Sequence, residues 1–199
     1  MIKALIFDFG GVFDNGNGFS GFKDRYAGKF DLTPEEFRSV LMKFWRPARL
    51  SEISCQEFWD GIVGDLGCKP EYIKSLLREY VVYNKEMVEF VRSLKGRYKL
   101  AILSNHISDW FESSIGELGL EDVFDVIVTS YEVGMAKPDK KIYVETARRL
   151  CVKPEECVFI DDQENNIPPA EELGMKAILF RDNGQLKKEL RELGIKTKS

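Results

Sequence analysis

Five short apolar runs, at 2–7, 99–103, 124–128, 157–160 and 176–180, constrain this chain more than any other feature. Apart from Lys3, Lys99, Asp125 and Lys176 at or near their first positions, they are continuously apolar rather than alternating. A strand with one wet face alternates, so such runs read as strands buried on both faces of a parallel sheet. Helical patterns separate the last four. The stretch 108–118 carries Trp110, Phe111, Ile115 and Leu118 on one face. The stretch 140–150 follows Pro138 and carries Ile142, Tyr143, Ala147 and Leu150, and 165–173 and 185–193 complete the set. Strand alternating with helix predicts an α/β fold with a doubly wound parallel sheet.

The interval after the first run is different. Between 13 and about 84 no stretch reads as a strand, and helical patterns lie near 19–29, 33–44, 55–66 and 70–82. Thr33-Pro34-Glu35-Glu36 is a helix start, with the hydroxyl at the cap and proline in the first turn. Ser54 and Glu57 have the spacing of a capping box. The chain therefore divides into a core at 1–14 and 85–199 and an inserted helical-bundle cap at 15–84. Asp14-Asn15-Gly16-Asn17-Gly18 leads out and 83–85 leads back.

Length and composition bound the rest. A chain of 199 residues with 44% hydrophobic content can close one core with an insert. The formal net charge is −4 and no long basic run occurs, which gives no electrostatic case for a nucleic-acid partner. Cys55, Cys68, Cys151 and Cys157 lack CxxC spacing and read as buried or half-buried free thiols in a reducing compartment. With His106 the single histidine, a zinc site is not expected. No segment approaches the length of a membrane span and no leader pattern opens the chain, so a cytoplasmic protein is expected.

Four polar clusters follow apolar runs, and in parallel sheets ligands bind beyond the carboxyl ends of strands. They are Asp8 before Gly10-Gly11, Ser104-Asn105, Lys137-Pro138 and Asp161-Asp162. Together they form a site for a phosphoryl group, a magnesium ion, or both. Adjacent acids at a strand end repel each other unless a cation joins them, and magnesium prefers oxygen ligands. Lys137 would offset the negative charge of Asp8 and of a phosphoryl group. Backbone N–H groups of Phe9, Gly10 and Gly11 form a nest for phosphoryl oxygens, or Asp8 simply caps its own turn. His106 reads as a polar residue at a helix start, with a substrate contact as the alternative.

The motifs FDFGGVFD (7–14), LSN (103–105), AKPDKKIY (136–143) and FIDDQENN (159–166) occur in the order of the haloacid dehalogenase-like hydrolases, which the chain resembles over essentially its whole length. The resemblance implies that Asp8 is the nucleophile of an aspartyl-phosphate mechanism, with Lys137 assisting. It implies that Gly10, Gly11, Ser104 and Asn105 bind the phosphorylated substrate. Magnesium would be held by Asp8, the carbonyl of Gly10 and Asp162, with Asp161 acting through water and Asn166 behind it. The expected substrate is a small phosphorylated metabolite such as a sugar phosphate.

The chain departs from that pattern at one position. Most phosphatases of the family carry a second Asp two residues after the nucleophile as general acid and base, and here Gly10 occupies that place. Such assistance is commonly worth about 10²–10⁴-fold. Three readings follow: a phosphatase whose substrates have good leaving groups, such as a sugar 1-phosphate; a 2-haloacid dehalogenase, which the acidic pair argues against; or a non-catalytic protein that binds phosphate esters. A response-regulator receiver uses similar residues in a different order. In the cap, Phe44 and Trp45 read as packing. Arg46 and Arg49 read either as solvated cations or as contacts to a phosphate or sugar acid, and Phe19 and Phe22 fall near the entrance.

Overall fold

The structure is a computed structural model that describes residues 1–15 and 19–196. Its strands are β1 (Ala4–Phe7), β2 (Lys99–Ser104), β3 (Val126–Thr129), β4 (Cys157–Asp161) and β5 (Lys176–Leu179). They form one parallel sheet in the order β3-β2-β1-β4-β5. Phe7 pairs with Ile102 on one side and Ile160 on the other, so β1, β2 and β4 end nearly level. The chain leaves β1 toward β2 and returns on its far side as β4. The crevice between the ends of β1 and β4 is thus the switch point where such sheets bind ligands.

The helices are α1 (Ser20–Tyr26), α2 (Pro34–Ala48), α3 (Cys55–Leu66), α4 (Pro70–Tyr80), α5 (Lys85–Leu94), α6 (Ser108–Leu118), α7 (Ser130–Val133), α8 (Lys140–Arg149), α9 (Ile167–Glu172) and α10 (Asn183–Glu192). Both faces of the sheet are covered. Leu5, Phe7, Ile102 and Ile160 pack with side chains of α5, α6 and α10. Ala4, Ile6, Leu103 and Phe159 pack with α8 and α9. These strand residues are wholly buried, each large one contributing roughly 1.5–3 kcal/mol of hydrophobic stabilisation. That is why the runs do not alternate.

Helices α1 to α4 pack around their own cluster, which includes Phe22, Phe37, Leu41, Phe58, Ile62 and Ile73. The capping boxes at Thr33/Glu36 and Ser54/Glu57 are both formed. The two connections to the sheet region run antiparallel, with a bridge between Asp14 and Tyr83. Asn15 N–H donates to Val82 O at 3.1 Å, and Asn84 N–H donates to Phe13 O at 2.8 Å. The Gly16-Asn17-Gly18 part of the outgoing connection lies outside the described residues.

Several local expectations change. Helix α2 continues to Ala48 with Pro47 in its last turn, and the Arg49 N–H closes that turn on Trp45 O at 3.0 Å. This places Trp45 and Arg49 one turn apart on one face. Helix α5, a stretch for which the sequence reading names no element, follows the return at 83–85. It starts at the Asn84 cap, whose side chain accepts from Met87 N–H at 3.1 Å. Four cysteines are free thiols, but Cys151 is exposed, because it forms the left-handed turn after α8 and points away from the core. Among the described residues no helix is long and apolar enough to cross a membrane.

Candidate active site

The four clusters named from the sequence meet at the carboxyl edge of the sheet. Asp8 follows β1, and its N–H donates to Ile160 O at 2.8 Å. Its Oδ1 accepts from Phe9 N–H at 2.7 Å and stands 2.8 Å from Lys137 Nζ. Lys137 Nζ also lies 2.6 Å from Asp161 Oδ2. The ammonium is almost wholly buried. Its place is set by Asn105, which donates Nδ2–H to Lys137 O and accepts from Lys137 N–H on Oδ1, each at 2.9 Å. Both edges of the Asn105 amide are thereby spent on the backbone of Lys137. Ser104, the last residue of β2, is buried and lines the same cleft.

Asp161 and Asp162 are adjacent but not equivalent. Asp161 is wholly buried; its Oδ1 accepts from Gln163 N–H at 2.8 Å and from Asn166 Nδ2–H at 3.0 Å, and its Oδ2 from Lys137 and from Asn166. Asp162 is half-buried, faces the cleft, and accepts from Gln163 Nε2–H at 2.7 Å. The carboxylates of Asp8, Asp161 and Asp162 each offer an oxygen within 4.8 Å of the others.

Three carboxylates share one buried ammonium, so negative charge is in excess. Burial pushes the Asp8 carboxyl up to about 8 against the pull of Lys137, with Asp161 and Asp162 adding to the rise. Burial and Asp161 push Asp162 up to about 6. Burial lowers the Lys137 ammonium, but Asp161 and Asp8 outweigh it and hold its pKa above the ordinary value. A cluster of hard oxygen donors short of positive charge fits a divalent cation such as magnesium.

The turn after Asp8 brings the chain back on itself. Phe13 N–H donates to Phe9 O at 2.9 Å, and Gly11 takes φ of 77°. A Cβ on Gly11 would lie 2.2 Å from Asp162 Oδ2, so only glycine fits. The phosphoryl nest expected from Phe9, Gly10 and Gly11 is partly filled by protein oxygens. Phe9 N–H is on Asp8, and Gly11 N–H donates to Asp14 Oδ1 at 3.0 Å.

A cavity of about 610 Å³ opens between this edge and helices α1, α2 and α4. That is the range of small-molecule sites. From the helical side it is lined by Phe19, Phe22, Trp45, Arg49 and Tyr80, and from the sheet side also by Trp110. Trp45 is therefore a wall of the cleft as well as a packing residue. His106 precedes α6 and does not cap it. Its ring is buried between Trp45 at 5.5 Å and Trp110 at 5.3 Å, and its Nδ1 lies against the Ile107 peptide. Burial lowers its pKa to about 4, so it is neutral near pH 7. Asp14, Trp110 and Gln163 were not singled out as site residues from the sequence. Only the position of Asp14 at the end of FDFGGVFD hinted at its place.

The family description of the haloacid dehalogenase-like hydrolases matches residues 2–174. The drimenol cyclase drtB of Aspergillus calidoustus is 24% identical over 96% of this chain and 36% of its own length. Flavin mononucleotide hydrolase 1 of Arabidopsis thaliana is 30% identical over 72% of this chain and 57% of its own. The chain thus spans from about a third to just over half the length of these relatives. Among solved structures, a HAD family enzyme from Bacteroides thetaiotaomicron, in complex with magnesium and inorganic phosphate, superposes with a TM-score of 0.76. It is 26% identical, and the match covers 94% of this chain and 99% of that one.

Proposed function

The chain belongs to the haloacid dehalogenase-like hydrolases, and we propose that it hydrolyses the phosphate monoester of a small metabolite, with Asp8 as nucleophile and magnesium as cofactor. The observation that carries this reading is that the buried Asp8 lines the cavity from the sheet edge, 2.8 Å from a buried ammonium and beside two further carboxylates.

Asp8 attacks phosphorus and the ester oxygen leaves. Water then attacks the aspartyl-phosphate, releasing inorganic phosphate and restoring the carboxylate. Lys137 offsets the charge that brings carboxylate and phosphoryl group together. Ser104 presents its hydroxyl to a phosphoryl oxygen, and Asn105 keeps Lys137 in place. Asp8, Asp162 and the Gly10 carbonyl would hold magnesium, with Asp161 behind them, already bound to Lys137, Asn166 and the Gln163 backbone. When bound, the ion supplies positive charge to the phosphoryl oxygens. Helices α1 to α4 serve as the cap that shields the site from water.

Gly10 offers no proton to the leaving group, which favours esters whose oxygen leaves readily. The test is phosphate release from p-nitrophenyl phosphate, glucose 1-phosphate and ethyl phosphate, with magnesium and with excess chelator. Magnesium-dependent release, faster from the first two, is expected. Equal rates on all three would overturn the leaving-group argument. No release from any would favour the second reading, a phosphate-ester-binding protein without turnover, for which Gly10 is the supporting observation.

A further inference from the structure

The cations lining the cavity differ in what they face. Lys137 is held by Asp8 and Asp161, and Lys23 pairs with Glu35. Arg38 is exposed, and the carboxylate its charge reaches is Glu35. Arg49 has no such neighbour. It is half-buried just after α2, and its Nε is shut away from water without a hydrogen-bond partner. Among the described residues no carboxylate lies within ion-pair distance of it, and the charge acting on it is that of another cation, Arg46. A guanidinium N–H that has lost its water and found no acceptor is costly, and buried polar groups in native proteins are almost always paired. The Nε is closed to a ligand as it is to water, but Arg49 lines the cavity and no described residue accepts from the rest of its guanidinium, so an acceptor for that open end would come from the cavity.

The position of Arg49 says where on a ligand that acceptor would be. Arg49 lies one helical turn beyond Trp45. The Trp45 ring meets His106 edge-on at 5.5 Å, and His106 follows Ser104-Asn105 at the sheet edge. The wall of the cavity therefore runs from the phosphoryl end at Asp8, across an aromatic stretch, to an unpaired planar cation. A guanidinium matches a carboxylate or phosphate through two parallel hydrogen bonds.

We infer that Arg49 is a specificity residue that binds a second oxyanion, a carboxylate or a further phosphate, carried on the leaving group of the substrate. This rests on reading the Asp8 end as the phosphoryl site. It narrows the substrate class from phosphate monoesters in general to phosphorylated acids or bisphosphates.

The experiment compares paired esters that differ in the second anion. 3-Phosphoglycerate against glycerol 3-phosphate tests a carboxylate, and fructose 1,6-bisphosphate against fructose 1-phosphate tests a second phosphate. The quantity read is the ratio of kcat/KM within a pair, which cancels any general loss of fold or chemistry. The wild type should prefer the partner carrying the second oxyanion in at least one pair by about ten- to a hundredfold, the range for a hydrogen bond to a charged group. Arg49→Gln should bring that ratio near one, and Arg49→Lys should keep part of it. No preference in either pair, or a preference that survives Arg49→Gln, would overturn the inference. If no ester is hydrolysed, the phosphatase reading fails by itself. Calorimetric binding of the same esters to Asp8→Asn, with and without Arg49→Gln, then decides: an Arg49-dependent preference supports the inference, and its absence overturns it.

Discussion

Asn105 holds Lys137 by both sides of one backbone position, donating to its carbonyl and accepting from its N–H at 2.9 Å each. This contact joins the end of β2, which Asn105 follows, to the loop between α7 and α8 that carries Lys137. Lys137 in turn bridges Asp8 after β1 and Asp161 at the end of β4. The reach of a flexible lysine is thus made definite by an amide that touches no reacting atom.

Asn105→Ala should therefore act through Lys137. It strips partners from two backbone groups in a partly buried place, a loss of about 1–3 kcal/mol in stability. The predicted kinetic signature is a fall in kcat of at least about tenfold with a smaller change in KM. Steady-state kinetics beside urea unfolding would check this. A normal kcat in a destabilised protein would reduce Asn105 to a purely structural role.

Magnesium and protons should compete for the acidic cluster. Asp8 and Asp162 hold protons up to about 8 and about 6 in the metal-free protein, chiefly through burial. Over that span the folded state binds more protons than the unfolded chain, so these groups lose stability as pH rises. A cation that displaces the protons restores it. The rise in unfolding temperature on adding magnesium should be small near about pH 5 and grow toward about pH 8. Thermal unfolding with magnesium and with chelator across that range measures it. An equal shift at every pH would contradict the prediction.

Gly11→Ala should damage the site more than the fold. The new Cβ falls 2.2 Å from Asp162 Oδ2 and sits at φ of 77°, so Asp162 must move and the turn is strained by roughly 1–2 kcal/mol. Activity should drop at least about tenfold and the magnesium requirement should rise. Gly64→Ala, in a helix with nothing within 4 Å of the new atom, is the control and should be neutral. Wild-type magnesium dependence in Gly11→Ala would show that Asp162 does not need its present position.

The sheet was legible because its strands are buried on both faces and the apolar runs at 2–7 and 99–103 show no alternation. Helix α6 was legible to the residue, since Trp110, Phe111, Ile115 and Leu118 mark one face. Helix α5 is also written in the chain, with Asn84 as cap and Met87, Val91 and Leu94 at helical spacing, although the sequence reading names no element there. Helix α7, at four residues, is too short for periodicity to mark. Asp8 and the Asp161-Asp162 pair could be grouped because each lies at a strand end and parallel strands end on one edge; Lys137, set beyond α7, was grouped with them through the AKPDKKIY motif. The grip of Asn105 on Lys137, the engagement of Gly11 N–H by Asp14 and the unpaired Nε of Arg49 could not be read. They depend on distances between segments far apart in sequence, which no local pattern encodes.

Phosphate release by Asp8→Asn shows whether Asp8 carries the phosphoryl group. The substitution is nearly isosteric and keeps a hydrogen-bond acceptor for Phe9 N–H and Lys137, so the fold should survive, as a thermal melt would show. With magnesium and p-nitrophenyl phosphate, the wild type should release phosphate and Asp8→Asn none above background. Turnover by folded Asp8→Asn at a rate near that of the wild type would contradict this role of Asp8.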